Sequence, residues 1–246
     1  MTGVPKGWDG QECPSYGWCM TVITDNFYRN PPPGFVPFDP VGPIRFYSRH
    51  LPHWRQYGTT YFVTFRLDDA LPPETLKELK TLQEQFDREF PGQRSSQQWK
   101  EYARKVTQVA EVSLDKGYGA CHFSDPANAK TLADALRFYH TTQCEVSCLV
   151  VMPNHAHAIM KPMAGFELED TLKLIKGYSA REVNKRRGAT GSIWEQESYD
   201  RIIRDTQHLE NVVRYIGRNG LRAGLPEHKF FRWICPKWQA AGWDFD

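Results

Sequence analysis

No apolar stretch in the 246 residues approaches the ~20 needed to cross a bilayer. The N-terminus, MTGVPKGWDG, also lacks the basic start and apolar segment of a secretory leader, so neither membrane insertion nor export is expected. An excess of one charge is missing as well. The 31 Lys+Arg against 29 Asp+Glu leave a formal charge of +2, which by itself neither demands nor excludes a nucleic-acid partner. Of cysteine there is little, and none of it is ordered: six residues, at 13, 19, 121, 144, 148 and 235, form no CxxC pair and no regular framework. They read as reduced structural thiols of a cytoplasmic protein, with Cys144 and Cys148 expected in the core. Internal repeats are absent too. What remains is a chain long enough for one large domain with extensions.

Residues 1 to about 58 are rich in Pro, Gly and aromatics (RNPPPGFVPFDPVGP) and hold no sustained periodicity, so an extended arm is expected over 1–48. Alternation begins at TTYFVTFRL, 59–67, a strand. Behind it, Leu76, Leu79, Leu82 and Phe86 recur at helical spacing, a second helical pattern runs from about Trp99 to Leu114, and SDPANAKTLADALRFYH opens a third behind a Ser/Asp cap. CEVSCLVVMP and NHAHAIMKP then read as two strands joined at Pro-Asn, a hairpin. A helix from about 167 to 187 stops at Gly188, GSIWEQESYDRIIR is a strand or irregular segment, and DTQHLENVVRYIGRNG is a helix between an Asp cap and a Gly stop. This order fits an α+β fold, an antiparallel sheet with helices on one face.

The stretch VVMPNHAHAIM, 150–160, carries the chemistry. Side chains alternate along a strand, so His155 and His157 project to one side and both imidazoles can meet one ion. Two such histidines in an arbitrary strand also serve as ordinary hydrogen-bonding residues, and spacing alone does not separate the two uses.

The string resembles the His-hydrophobe-His motif of HUH-superfamily nucleases, and its MPNHxH form resembles the REP-associated tyrosine transposases, relatives of the single-tyrosine insertion-sequence transposases. LPHWRQYGTTYFVTFRL, KGYSAREVNK and IWEQESYDRIIRDTQHLENVVRYIGRNGLRAGL extend the likeness over about 49–225, leaving 1–48 and a tail at 226–246 outside it. The resemblance implies a ferredoxin-like HUH nuclease fold, and an enzyme that cleaves and rejoins single-stranded or hairpin DNA through a 5′-phosphotyrosine with Mg²⁺ or Mn²⁺. Relatives include monomers and homodimers, and either is compatible with this chain.

In the family the nucleophile is a tyrosine on a helix after the histidine strand, and GYSARE puts Tyr178 there. Glu182, four residues on, shares its helical face and is the expected third ligand beside His155 and His157. Relatives usually have Gln or Asn four residues after the tyrosine, so Glu182 departs in identity while remaining an oxygen donor. Asn184 is the next candidate ligand, Tyr199 the rival nucleophile, and His208 is expected to pack or cap its helix.

Local charge bears on the partner. Between Lys173 and Arg222 lie eleven Lys/Arg and six Asp/Glu, a larger excess than that of the whole chain. Lys176, Arg181, Lys185, Arg186, Arg187, Arg201 and Arg204, with Trp194 and Tyr199 as stacking rings, are the expected DNA contacts. Cations at 185–187 also suit a helix C-terminus as a plain solvated cap. The expectation is therefore a cytoplasmic, nucleoid-associated transposase. A catalytically silent hairpin-binding protein and a phosphodiesterase that uses water are its competitors.

Overall fold

The alternating run at 61–66 and the two apolar runs around Pro153 become the middle of a five-stranded antiparallel sheet. The computed structural model describes residues 29–48 and 51–246. Its strands are β1 (Arg45–Ser48), β2 (Pro52–Arg55), β3 (Tyr61–Arg66), β4 (Cys144–Val151), β5 (His155–Pro162), β6 (Tyr199–Ile202) and β7 (Phe231–Ile234). Its helices are α1 (Pro73–Glu89), α2 (Ser96–Leu114), α3 (Pro126–Phe138), α4 (Leu168–Arg187), α5 (Thr206–Arg222) and α6 (Pro236–Ala240). Sheet order is β6-β3-β5-β4-β7, with β1 and β2 forming a separate hairpin. Chain order β3, α3, β4, β5, α4, β6 threaded through that sheet is the ferredoxin-like α+β arrangement expected.

Strand parity divides the core in two. Tyr61, Val63, Phe65, Ala156, Ala158 and Met160 point to one side, where α3 and α4 cover them with Leu132, Leu136, Leu172, Ile175 and Val183. Phe62, Val150 and Ile159 point to the other, against Leu209, Val212, Val213 and Ile216 of α5 and against Trp238 and Trp243. Helices on one face thus describes α3 and α4, while α5 and the tail take the opposite side.

Two regions expected to lie outside the body are part of it. Strands β1 and β2 pair across residue 48, from Arg45 opposite Arg55 to Ser48 opposite Pro52. Their hairpin docks through a buried ion cluster: His53 contacts Asp200 at 2.8 Å and Glu197 at 2.9 Å, and Arg55 contacts both Asp200 and Glu169. Burial opposes the charge on His53, but hydrogen bonds to the two carboxylates outweigh it and raise its pKa to about 9. The tail adds β7 beside β4, and its Trp238 and Trp243 donate indole hydrogen bonds to the carbonyls of Pro33 and Asn30. Short polar arms have no periodicity that foretells such docking, because the partner surface is made elsewhere in the chain. The arm before residue 29, with Cys13 and Cys19, lies outside the described residues.

Candidate active site

Asn154, at the turn between β4 and β5, sets the orientation of the first histidine. Its amide nitrogen donates to the carbonyls of Leu114 and Tyr118, at 3.3 and 3.1 Å, so its oxygen faces Nδ1 of His155 at 2.8 Å. That oxygen only accepts, so Nδ1 carries the proton and Nε2 a lone pair. Nε2 of His155 is buried and has no hydrogen-bond partner.

His157 is held from the neighbouring strand. Thr64 lies directly across in β3, and its Oγ1 is 2.7 Å from Nδ1 of His157, while Phe62 stacks on the ring. Nε2 again faces the interior of the site, 3.4 Å from the hydroxyl of Tyr215. Burial pushes the His155 pKa down to about 3, with Asn219 opposing and the charge of Arg222 reinforcing the shift. Burial likewise drives His157 well below its ordinary value, helped by His155, Arg222 and Arg201. Both rings are therefore neutral at pH 7, the form that binds metal.

Helix α5 brings the remaining groups. Asp205 caps it by accepting from the amide of His208, whose Nδ1 in turn accepts from the amide of Arg204, so His208 packs and caps as expected. Tyr215 and Asn219 fall one turn apart on its sheet-facing side. Asn219 is fully buried, and neither its amide oxygen nor its amide nitrogen has a partner. Two glycines let this helix lie close to the tail: a Cβ at Gly217 would meet Phe245 at 2.4 Å, and one at Gly220 would meet Phe230 at 2.4 Å. Each glycine costs a helix interior about 1 kcal/mol relative to alanine, and here that cost is offset by aromatic contact that fixes the helix on its own sheet.

Arg222 completes the helix's contribution. Its guanidinium lies 4.7 Å from the ring centre of Tyr215, hydrogen-bonds the Tyr215 hydroxyl, and pairs with Asp115 at 2.6 Å. Arg201 of β6 stands over Phe62 on the same face. From α2 comes Glu111, buried and hydrogen-bonded to Tyr215, with its Oε1 unpartnered. Burial, then the charge of Glu111, raises the Tyr215 pKa well above the ordinary phenol value, against the pull of Arg222.

Tyr178 and Glu182 are not part of this constellation. They ride on α4, whose buried residues pack against the odd-numbered side chains of β3 and the even-numbered ones of β5, the side opposite His155 and His157. Tyr178 is 42% exposed there, in a shallow surface depression with Tyr139, Asp170, Lys173 and Arg181. The expected pairing of Tyr178 and Glu182 with the histidines is corrected by strand parity, since a five-stranded sheet stands between them. Asn184, the reserve ligand, is on α4 as well and donates to the carbonyl of Gly191. Tyr199 does share the histidine face, but on β6 at the sheet edge, with Thr64 between it and His157. Two strand spacings put it about 10 Å away.

The expected DNA contacts divide in the same way. Lys176 donates to the carbonyls of Glu195 and Gln196, and burial lowers its pKa to about 8. Arg186 binds Asn128 and Thr131 of α3, and Arg187 contacts His122. Trp194 is buried between Phe65 and Phe123 and donates to Ser179, so it is a core residue and not a stacking platform. Arg181 and Lys185 are exposed on the α4 side. Arg201 alone of the set borders the buried site, where its charge acts on His157 and Glu111. Arg204 lies one turn from it, with its charge felt at His208.

Sequence reasoning passed over Tyr215, Asn219, Glu111 and Arg222. For the first two a signal existed: YIGRN has an asparagine four residues after a tyrosine, the residue type relatives use, inside the apolar periodicity of Leu209, Val212, Val213 and Ile216. Glu111 had none, because a buried carboxylate in a helix reads as a surface residue until its neighbours are known.

Residues 123–219 match the family model described as IS200-like transposase, less than half of the chain but all of α3 to the last turn of α5. The transposase resemblance drawn from the sequence is borne out by this match. The matched stretch includes His155, His157, Tyr215 and Asn219, and excludes Glu111 and Arg222. Among solved structures, one described as the REP-associated tyrosine transposase bound to a REP hairpin is similar, at 18% identity over 71% of this chain and 76% of that one, with a TM-score of 0.38. No curated protein matches the chain.

Proposed function

We propose that this protein cleaves and rejoins single-stranded or hairpin DNA by transesterification, with Tyr215 as nucleophile and a divalent ion held by His155, His157 and Asn219. One observation carries the reading: the Tyr215 hydroxyl stands 3.4 Å from His157 Nε2, beside unpartnered buried atoms of His155 and Asn219. Each such atom costs about 1–3 kcal/mol when left unpaired. Several in one place are characteristic of a site that receives a polar or ionic ligand.

The donor set fits a divalent ion. Among the described residues no group of three His, Cys, Asp or Glu is placed to hold a metal, so the third donor is the amide oxygen of Asn219. Two neutral imidazoles and an amide oxygen suit Mn²⁺ or Mg²⁺, Mn²⁺ accepting imidazole more readily. When bound, such an ion supplies Lewis-acid polarisation of the phosphate. Thr64 and Asn154 fix both rings with Nε2 turned inward, the outer support that ligating histidines require.

The chain's own residues do the rest. Tyr215 Oη attacks phosphorus while the bond to the 3′ oxygen breaks, leaving a 5′-phosphotyrosine and a 3′-hydroxyl. Arg222, donating to Oη, stabilises the phenolate oxygen as its proton leaves. A later 3′-hydroxyl attacks the same ester and returns the phenol, so strands rejoin without an external energy source. Arg201 and the local excess of cations supply backbone contacts to the strand. Incubation of the full chain with a hairpin oligonucleotide bearing a single-stranded flank and Mn²⁺ should give an adduct that survives denaturing electrophoresis. Peptide mass spectrometry should place the nucleotide on Tyr215, and an adduct mapped to any other residue would overturn the assignment.

A further inference from the structure

Helices α1 and α2 form an insertion between β3 and α3, upstream of the matched stretch. They make their own small core from Phe86, Tyr102 and Val106. The last turns of α2 nevertheless reach the buried site. Asn154 donates to the carbonyl of Leu114, and Asp115 at the helix end pairs with Arg222. Glu111 lies one turn earlier, and Thr107 one turn before that. Both are buried, and Thr107 Oγ1 and Glu111 Oε1 have no hydrogen-bond partner. A helix serving only as packing would not turn two polar side chains inward.

The position of Glu111 relative to Tyr215 gives it a role. The hydroxyl has one proton and three neighbours. Arg222 can only donate to it, and His157 Nε2 is distant at 3.4 Å, so the Glu111 carboxylate is the acceptor. On this geometry, and given Tyr215 as nucleophile, we propose that Glu111 is a catalytic residue, the general base that takes the Tyr215 proton as Oη bonds to phosphorus.

In the forward step the O–H pair of Tyr215 forms the O–P bond, the proton passes to Glu111, and the 3′ oxygen leaves with its electron pair and takes a proton from solvent. On rejoining, the attacking 3′-hydroxyl loses its proton to solvent, the P–Oη bond breaks, and Glu111 returns its proton to the phenolate. The groups facing Glu111 are Arg201 from β6, Tyr215 and Arg222 from α5, and Asp115 on its own helix. Burial raises its carboxyl to about 7, while Arg201, Arg222 and the Tyr215 hydroxyl hold it from rising further. A base poised there changes hands with its proton near neutral pH.

The test is the single-turnover rate of adduct formation by the full chain between pH 5.5 and 9, on the hairpin oligonucleotide with Mn²⁺. Glu111→Gln should slow it by about 10²–10⁴-fold and remove the rise through pH 7, with hairpin affinity and thermal midpoint retained. Replacing Tyr215 by 3,5-difluorotyrosine in that variant should recover most of the lost rate, because the more acidic hydroxyl needs less help. Glu111→Asp, which keeps the carboxylate but withdraws it, should fall between. Wild-type rate and pH profile in Glu111→Gln, or a loss that difluorotyrosine does not restore, would overturn the base while leaving the nucleophile standing. Adduct formation that persists in Tyr215→Phe would overturn the nucleophile and the base together.

Discussion

Two helices of this protein carry a tyrosine followed four residues later by an oxygen donor, one on each side of the same sheet. On α4 the pair is Tyr178 and Glu182; on α5 it is Tyr215 and Asn219. The first tyrosine is 42% exposed and the second is buried among partners on three elements. Spacing along a helix guarantees only that two side chains share a face. It says nothing of which face of the sheet the helix covers, and a one-residue change of strand parity moves every side chain to the other side.

The largest expected effect separates the two tyrosines directly. Tyr215→Phe should abolish the covalent adduct, while Tyr178→Phe should leave its rate within about twofold, measured on the same oligonucleotide. An adduct lost in the second variant and kept in the first would invert the comparison. The two oxygen donors come next. Asn219→Ala should weaken Mn²⁺ binding by about 10–100-fold in titration calorimetry, and Glu182→Ala should leave it unchanged. Equal losses in both variants would mean that the ion is not confined to the α5 side.

The smallest effect concerns stability on the α5 side alone. Glu111 has its pKa raised by burial from 4.5 to about 7, so between those values the folded protein holds a proton that the unfolded chain has released. Stability from this group is therefore present below pH 4.5 and lost as pH rises towards 7. Glu111→Gln should flatten that part of the thermal-midpoint profile, by about 2–4 °C for each kcal/mol involved. An unchanged slope would remove Glu111 from the buried network.

Much of the fold was legible because its signals are local. The alternation at 61–66, the turn at Pro153-Asn154 and the apolar stripes of α1 to α5 each depend on neighbours within a few residues. The ends of α4 at Leu168 and Arg187 fall within a residue of those expected, with Gly188 in the left-handed conformation that stops it. The docking of β1, β2 and β7 was not legible, since a short strand takes its meaning from the edge it meets. Trp194 shows the same limit among the candidate site residues. An aromatic beside basic residues reads as a base-stacking ring, and its burial between Phe65 and Phe123 is known only from the packed sheet.

By itself the sequence determined that His155 and His157 act together, because period-two alternation puts them on one side of any strand. It also determined that an asparagine stands one helical turn from Tyr215, as the chain order of YIGRN requires. Only the tertiary structure decided which helix meets those imidazoles, and that α2, from an insertion, brings Glu111 to the phenol. The physical reason is that a catalytic constellation is a set of contacts between elements. Local periodicity fixes what each element presents, and the packing of the sheet's two faces fixes what it is presented to.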